Sequence, residues 1–175
     1  GLPDLQRWHY LPVGAGLKGG QLAILLGAAG WDAGLTVGLW MALAGWSAAL
    51  AILGRLLVDE KGATWHARSC FAALVLGWLG MVMFIAFVLG APAGWAFAGI
   101  RLGGMGMLLP VYLTVAHRMF PFFAANAVPG YRAWRPLWWL AAMWALSLAH
   151  LALELVHGHA WLWLVDVPLL VLSGL

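Results

Sequence analysis

Charge is what this chain has least of: only 9% of its 175 residues carry any. Cysteine is nearly absent too. The single Cys70 excludes an internal disulfide framework and any multi-cysteine metal site. Strict apolar–polar alternation is missing from runs such as FAALVLGWLGMVMFIAFVLG, which excludes a closed transmembrane β-barrel. No Walker-type phosphate loop occurs, since GGMGM falls inside an apolar run. Ser47, Ser69, Ser147 and Ser173 lie in apolar surroundings with no base in register, so hydrolytic catalysis has no support. The net charge of +3 comes from nine basic residues spread thinly enough to form no basic face, and nucleic acid is not expected as a partner. Glu154-x-x-His157 matches half of a carboxylate-bridged dimetal unit, but Glu60 is the only other glutamate and such sites need several.

What the chain has in excess is oil. Its mean hydropathy is +0.93, and apolar runs near twenty residues recur along its length. A bilayer needs about 20 apolar helical residues per crossing, whereas no soluble core of this size would hide so many runs. The expected fold is all-α: a polytopic transmembrane helical bundle of about five to six membrane helices. Residues 1–175 are expected to form a single membrane-embedded domain, part of a longer polypeptide. Spans are placed at about 13–31, 34–57, 69–90, 95–117 and 137–157, with a shorter sixth at about 160–175. Lys18 and five glycines (14, 16, 19, 20 and 27) make the first span the weakest.

Lysine and arginine collect on the cytoplasmic side of membrane proteins. With the N-terminal end inside, Arg7, Lys18, Arg55, Lys61, Arg68, Arg118, Arg132 and Arg135 all fall there, and only Arg101 does not. Trp8, Trp65, Trp134, Trp138 and Trp139 then fall near the inner interface, and Trp31, Trp95, Trp161 and Trp163 near the outer one. Indole rings prefer that zone. Trp40, Trp46, Trp78 and Trp144 lie deeper, as packing residues or as the wall of a flat cofactor.

The stretch TVAHRMFPFFAANAVPGYRAWRP, Thr114–Pro136, becomes the cytoplasmic connection. Pro121 is expected to stop the fourth span or to open a new turn, and Pro129–Gly130 reads as a turn. Between them FFAANAV is expected to lie along the inner interface. The arginines of Thr114–Pro136 would anchor lipid phosphates while Phe120, Phe122 and Phe123 insert, or Arg118, Arg132 and Arg135 would clamp the carboxylates or phosphates of a bound molecule.

The string LPVYLTVAHRMFPFFAANAVPGYRAWRPLWWL resembles the central region of the NnrS family of bacterial inner-membrane proteins, through His117-Arg118-Met119-Phe120-Pro121-Phe122-Phe123. The resemblance implies several membrane spans, haem and copper as cofactors, and a role in the response to nitric oxide. It brings His117 and Arg118 in as members of a cofactor-binding motif. Two of the family's histidine-bearing motifs are not found here; Trp65-His66-Ala67-Arg68 matches one of them only superficially.

Charged groups within hydrocarbon cost several kcal/mol unless paired or hydrated. Counting about 1.5 Å per residue from the outer turns puts Arg101 about 9 Å deep, Glu154 about 6 Å, and His150 and Asp166 about 12 Å. His150, Glu154 and His157 share one helix face by their i, i+4, i+7 spacing. Arg101 is expected to pair with Glu154, and His150 with Asp166. One reading is an ion-pair staple between helices. The other is a cofactor pocket in which His150 ligates haem or a metal, Asp166 orients it and Arg101 takes part. Met105, with Met107, is a candidate soft ligand, and His157 with His159 a candidate copper contact. Gly103, Gly104 and Gly106 would permit close helix approach or clear space for a flat ligand, and Pro110 would kink the helix.

The favoured reading is therefore an NnrS-like inner-membrane haem and copper protein of the nitric oxide response, with the bilayer and nitric oxide as partners. The alternatives are a transporter or channel with a polar pathway through the same residues, and a non-catalytic membrane scaffold subunit.

Overall fold

A computed structural model describes residues 7–60, 62, 65–132 and 136–173, with the backbone alone at Arg7. Lys61, Trp134 and Arg135, used above to assign sidedness, lie outside the described residues. Among the described residues seven α-helices follow one another: α1 (Arg7–Ala28), α2 (Gly34–Asp59), α3 (Trp65–Val88), α4 (Ala93–Arg101), α5 (Leu109–Ala127), α6 (Leu137–Leu155) and α7 (Trp163–Ser173). A π-helical stretch, Leu102–Leu108, joins α4 to α5 without a break, so Ala93–Ala127 is one continuous helical stretch of 35 residues. With α1, α2, α3 and α6 it makes five helices, among the described residues, long and apolar enough to cross a membrane. The protein is all-helical and multi-pass, with no strand among the described residues.

Two expectations need correction. Pro121 does not end the fourth span: it lies buried inside α5, which runs on through Phe122 and Phe123 to Ala127. Proline here forfeits one backbone bond, to the carbonyl of His117, and membrane helices tolerate that loss. The reversal comes later, where Tyr131 N–H meets Val128 O and Gly130 adopts φ +78°. The first span, expected to be the weakest, starts earlier than placed and contains Pro12 as well as its glycines.

By their contacts the residues divide into two compact units, one of residues 1–64 and 78–100, the other of 65–77 and 101–175. In the first unit Gly16, Gly20 and Gly27 of α1 are its contact surface with α2. A Cβ at Gly16 would stand 2.5 Å from Gly45 Cα, one at Gly20 2.6 Å from Gly38 O, and one at Gly27 2.8 Å from Leu35 N. Lipid tails are as apolar as leucine, so membrane helices associate through close packing of small residues, and these glycines let two backbones touch. Trp78 supplies a polar tie in the same unit, donating Nε1–H to Ser47 Oγ at 2.9 Å.

In the second unit the buried core gathers Leu113, Leu140 and Met143, with Leu109, Trp139, Trp144, Leu169 and Leu172 packed around them. The π-helical stretch shapes this unit. Leu109 N–H bonds Gly104 O, five residues back, and Pro110 has no N–H to give. Neither residue therefore serves the Met105 carbonyl, which instead accepts the Ser147 hydroxyl of α6 at 2.8 Å, with Ser147 wholly buried. One turn on, Thr114 returns its hydroxyl to Pro110 O at 2.7 Å and accepts Trp144 Nε1–H at 2.9 Å. The wide turns thus turn a helix irregularity into an interhelical hydrogen bond.

Candidate polar centre and histidine pair

Four ionisable groups of the second unit, Arg101, His150, Glu154 and Asp166, come together at one place. His150 and Glu154 stand one turn apart on α6. After α6 the chain reverses through a left-handed residue, His157 at φ +58°. There Gly158 N–H reaches back to Leu153 O at 2.7 Å and His157 N–H to Glu154 O at 3.2 Å. This is the helix-ending bond pair that usually calls for glycine; a histidine in it is an uncommon choice. The reversal sets α7 beside α6, with Asp166 in the first turn of α7.

The contacts follow from that layout. His150 Nδ1 donates to Asp166 Oδ1 at 2.6 Å, and His150 Nε2 lies 3.8 Å from Glu154 Oε2. Arg101, the last residue of α4, places Nε 3.7 Å from Glu154 Oε2 and donates Nη1–H to the Glu154 carbonyl at 3.1 Å. A guanidinium at the C-terminal turn of α6 and a carboxylate in the first turn of α7 each meet the favourable end of a helix dipole. The Arg101 and Glu154 side chains are about a quarter exposed, Asp166 is 46% exposed and His150 12%. With its Nδ1 proton committed to Asp166, a neutral His150 presents the Nε2 lone pair beside a carboxylate. This is how imidazoles are held when they ligate metals. A protonated His150 would instead close a chain of alternating charges from Arg101 to Asp166.

The other candidate residues are placed less tightly. His157 and His159 stand edge to face, 5.9 Å between ring centroids. Met105 contributes its carbonyl to Ser147, as described. A Cβ at Gly103 or Gly104 would meet nothing within 4 Å, whereas one at Gly106 would press on Leu151, 3.3 Å away. Gly106 alone of the three is therefore a packing contact. Among the described residues no group of three or more His, Cys, Asp or Glu stands ready for a metal.

Sequence reasoning singled out His117 through the family motif but missed the partner it meets, His66. His117, expected at the interface, is 4% exposed. Its Nε2 lies 3.2 Å from Pro136 O and its Nδ1 lies 3.1 Å from His66 Nε2. A carbonyl only accepts, so His117 carries its proton on Nε2, and the facing His66 Nε2–H donates to Nδ1. The signal was present: His66 opens α3 and His117 lies late in α5, both at the end of their helices assigned to the cytoplasmic interface. A cavity of about 550 Å³ adjoins the pair, lined by Leu113, Ala116, His117, Tyr131, Arg132 and Met143 among others. Trp139, expected at the interface, also lines it, as do Tyr112 and Phe120. Arg132 borders this space; Arg118 is exposed and does not.

Neither the curated proteins nor the solved structures include a match to this chain. The family model described as "NnrS protein" matches residues 1–175, the whole chain, and the chain belongs to the NnrS family.

Proposed function

We propose that this NnrS-family chain is a membrane-embedded part of a haem- and copper-containing protein of the bacterial inner membrane, acting in the response to nitric oxide, with its N-terminal end cytoplasmic. The orientation rests on the lysines and arginines, eight of nine of which fall on one side of the spans counted from sequence. The cofactor reading rests on family membership and on one observation, the imidazole of His150 held by Asp166 at 2.6 Å with its second nitrogen turned toward Glu154.

Those donors fit a ligand position. The His150 ring is mostly buried, its tautomer is set by Asp166, and Arg101 offsets the carboxylate that faces Nε2. They supply one imidazole and one carboxylate, so any further ligands come from elsewhere. For the flat macrocycle of haem the fit is partial, because the cavity described in this unit is lined by none of the four polar residues. The chain's own residues therefore hold and orient a ligating nitrogen; bound haem or copper would supply nitric oxide binding and electron transfer. Arg101 and Glu154 fix the helix ends that carry it.

A transport pathway through the same residues has less support. Along α6 from His150, Ser147 has its hydroxyl committed to Met105 O, and Met143 and Leu140 beyond it are buried with Leu113. A scaffold role, with the polar centre serving only to pack helices, is separated by experiment.

The test is the absorption spectrum and metal content of the complete protein purified in detergent. A Soret band that shifts on adding nitric oxide, and that is lost or displaced in His150→Ala, is the expected result. A colourless, metal-free protein overturns the cofactor reading. A spectrum identical in His150→Ala removes His150 from it.

A further inference from the structure

The cavity beside His117 is lined by none of the residues of the centre around His150. We propose that it is a binding groove for one anionic phospholipid of the surrounding membrane, with an acyl chain along α5 and the phosphate on Arg132. The floor is built by α5. Tyr112, Ala116, Phe120 and Ala124 recur every fourth residue, so they form one row along a single helix face. At about 1.5 Å per residue that row is about 18 Å long, against about 15 Å for one leaflet of the bilayer's hydrocarbon core. The groove is thus about as long as an acyl chain lying in its own leaflet. Trp139 and Met143 of α6 wall it. Tyr112 and Phe120 are 59% and 62% exposed, so the groove opens sideways, toward the lipid that surrounds a spanning helix.

The two ends of the groove differ in chemistry. Arg132 and Tyr131 line it just beyond the turn that follows α5, where the span Ala93–Ala127 has ended. Among the described residues no carboxylate stands within ion-pair distance of Arg132. Trp139, the third residue of α6, also lines the groove, which brings the positive end of that helix's dipole to the same mouth. A guanidinium and a helix N-terminus both favour a phosphate, and the apolar row beneath them favours a hydrocarbon chain. A free phosphate would satisfy Arg132 and leave the row empty. A zwitterionic lipid would fill the row but carry its own cation toward the arginine. An anionic phospholipid meets both demands, and a cavity of about 550 Å³ has room for a chain. The expectation that the arginines of this stretch hold phosphates is thereby narrowed to Arg132, since Arg118 does not border the groove.

The test uses the complete protein, stripped of lipid in detergent and offered phosphatidylglycerol, phosphatidylcholine with the same chains, or inorganic phosphate. Native mass spectrometry counts what stays bound. The expected result is one phosphatidylglycerol retained in preference to phosphatidylcholine and not displaced by phosphate. Arg132→Gln should weaken that preference about fivefold, the usual worth of one basic side chain against anionic lipid. Arg118→Gln, at an exposed arginine outside the groove, should leave it unchanged. Photo-crosslinking of the wild-type protein needs no variant: a phosphatidylglycerol with a diazirine in its acyl chain should label residues 112–124 and 139–143 above the other spans. Equal retention of the two lipids, displacement by phosphate, equal losses in the two arginine variants, or label spread evenly over all spans overturns the proposal. A protein without haem or a nitric oxide response would sink the proposed function and leave this groove standing, so the two fail separately.

Discussion

At the scale of single residues, the second unit shows how a bilayer makes small polar groups matter. Ser147 is an unremarkable residue in sequence, a hydroxyl in an apolar run. Its role comes from elsewhere in the chain: Pro110 lacks an N–H, Leu109 bonds one residue further back than an α-helix would require, and the Met105 carbonyl is left to Ser147. An unserved carbonyl in hydrocarbon costs about 1–3 kcal/mol. Ser147→Ala should lower thermal stability in detergent by that amount. Pro110→Ala in the same chain should recover part of it, because it returns an N–H to the helix. If the double variant is no more stable than Ser147→Ala, the assignment of that hydrogen bond is wrong. Arg101 and Glu154 carry a similar lesson. Their pairing was readable from sequence because charges at one depth on neighbouring helices have few other partners. The bond from Arg101 to the Glu154 carbonyl was not, since a backbone acceptor leaves no trace in side-chain identity.

At the scale of elements, the clearest departure from expectation is α1. Its five glycines look like defects when helix propensity is the only guide. In the hairpin with α2, Gly16, Gly20 and Gly27 are the surface through which two backbones meet. Two substitutions separate the views. Gly16→Leu would set a side chain where a Cβ already stands 2.5 Å from Gly45 Cα, and should cost about 1–3 kcal/mol or separate the helices. Gly14→Ala places its Cβ where nothing lies within 4 Å, and should be neutral or slightly stabilising. Thermal unfolding of both variants in detergent checks the pair of expectations. Equal effects would show that propensity, and not contact, governs α1. Pro121 gives the opposite lesson. In water it would be a strong stop signal, but the helical stretch from Ala93 to Ala127 passes through it, because neighbouring elements offset a single missing N–H more readily in a membrane protein.

At the scale of the whole molecule, the membrane spans and the all-helical class were legible because hydropathy acts over twenty residues at a time and survives errors at any one of them. Helix ends were legible to within several residues, except where proline misled. The polar centre was half legible. Counting depth along helices brings His150, Glu154, Arg101 and Asp166 to one layer, but counting says nothing of which nitrogen faces which oxygen. The placement of His66 and His117 at the same end of their helices was legible, but the two lie 51 positions apart, and only helix packing shows that their rings meet. The account therefore turns on whether the histidine of α6 is bound to the carboxylate of α7. Solid-state ¹⁵N NMR of histidine-labelled protein in bilayers measures this directly. One imidazole should show an Nδ1 resonance typical of a short hydrogen bond to a carboxylate, vanish in His150→Ala and shift in Asp166→Asn. Histidine resonances left unmoved by Asp166→Asn would contradict the polar centre and the cofactor reading built on it.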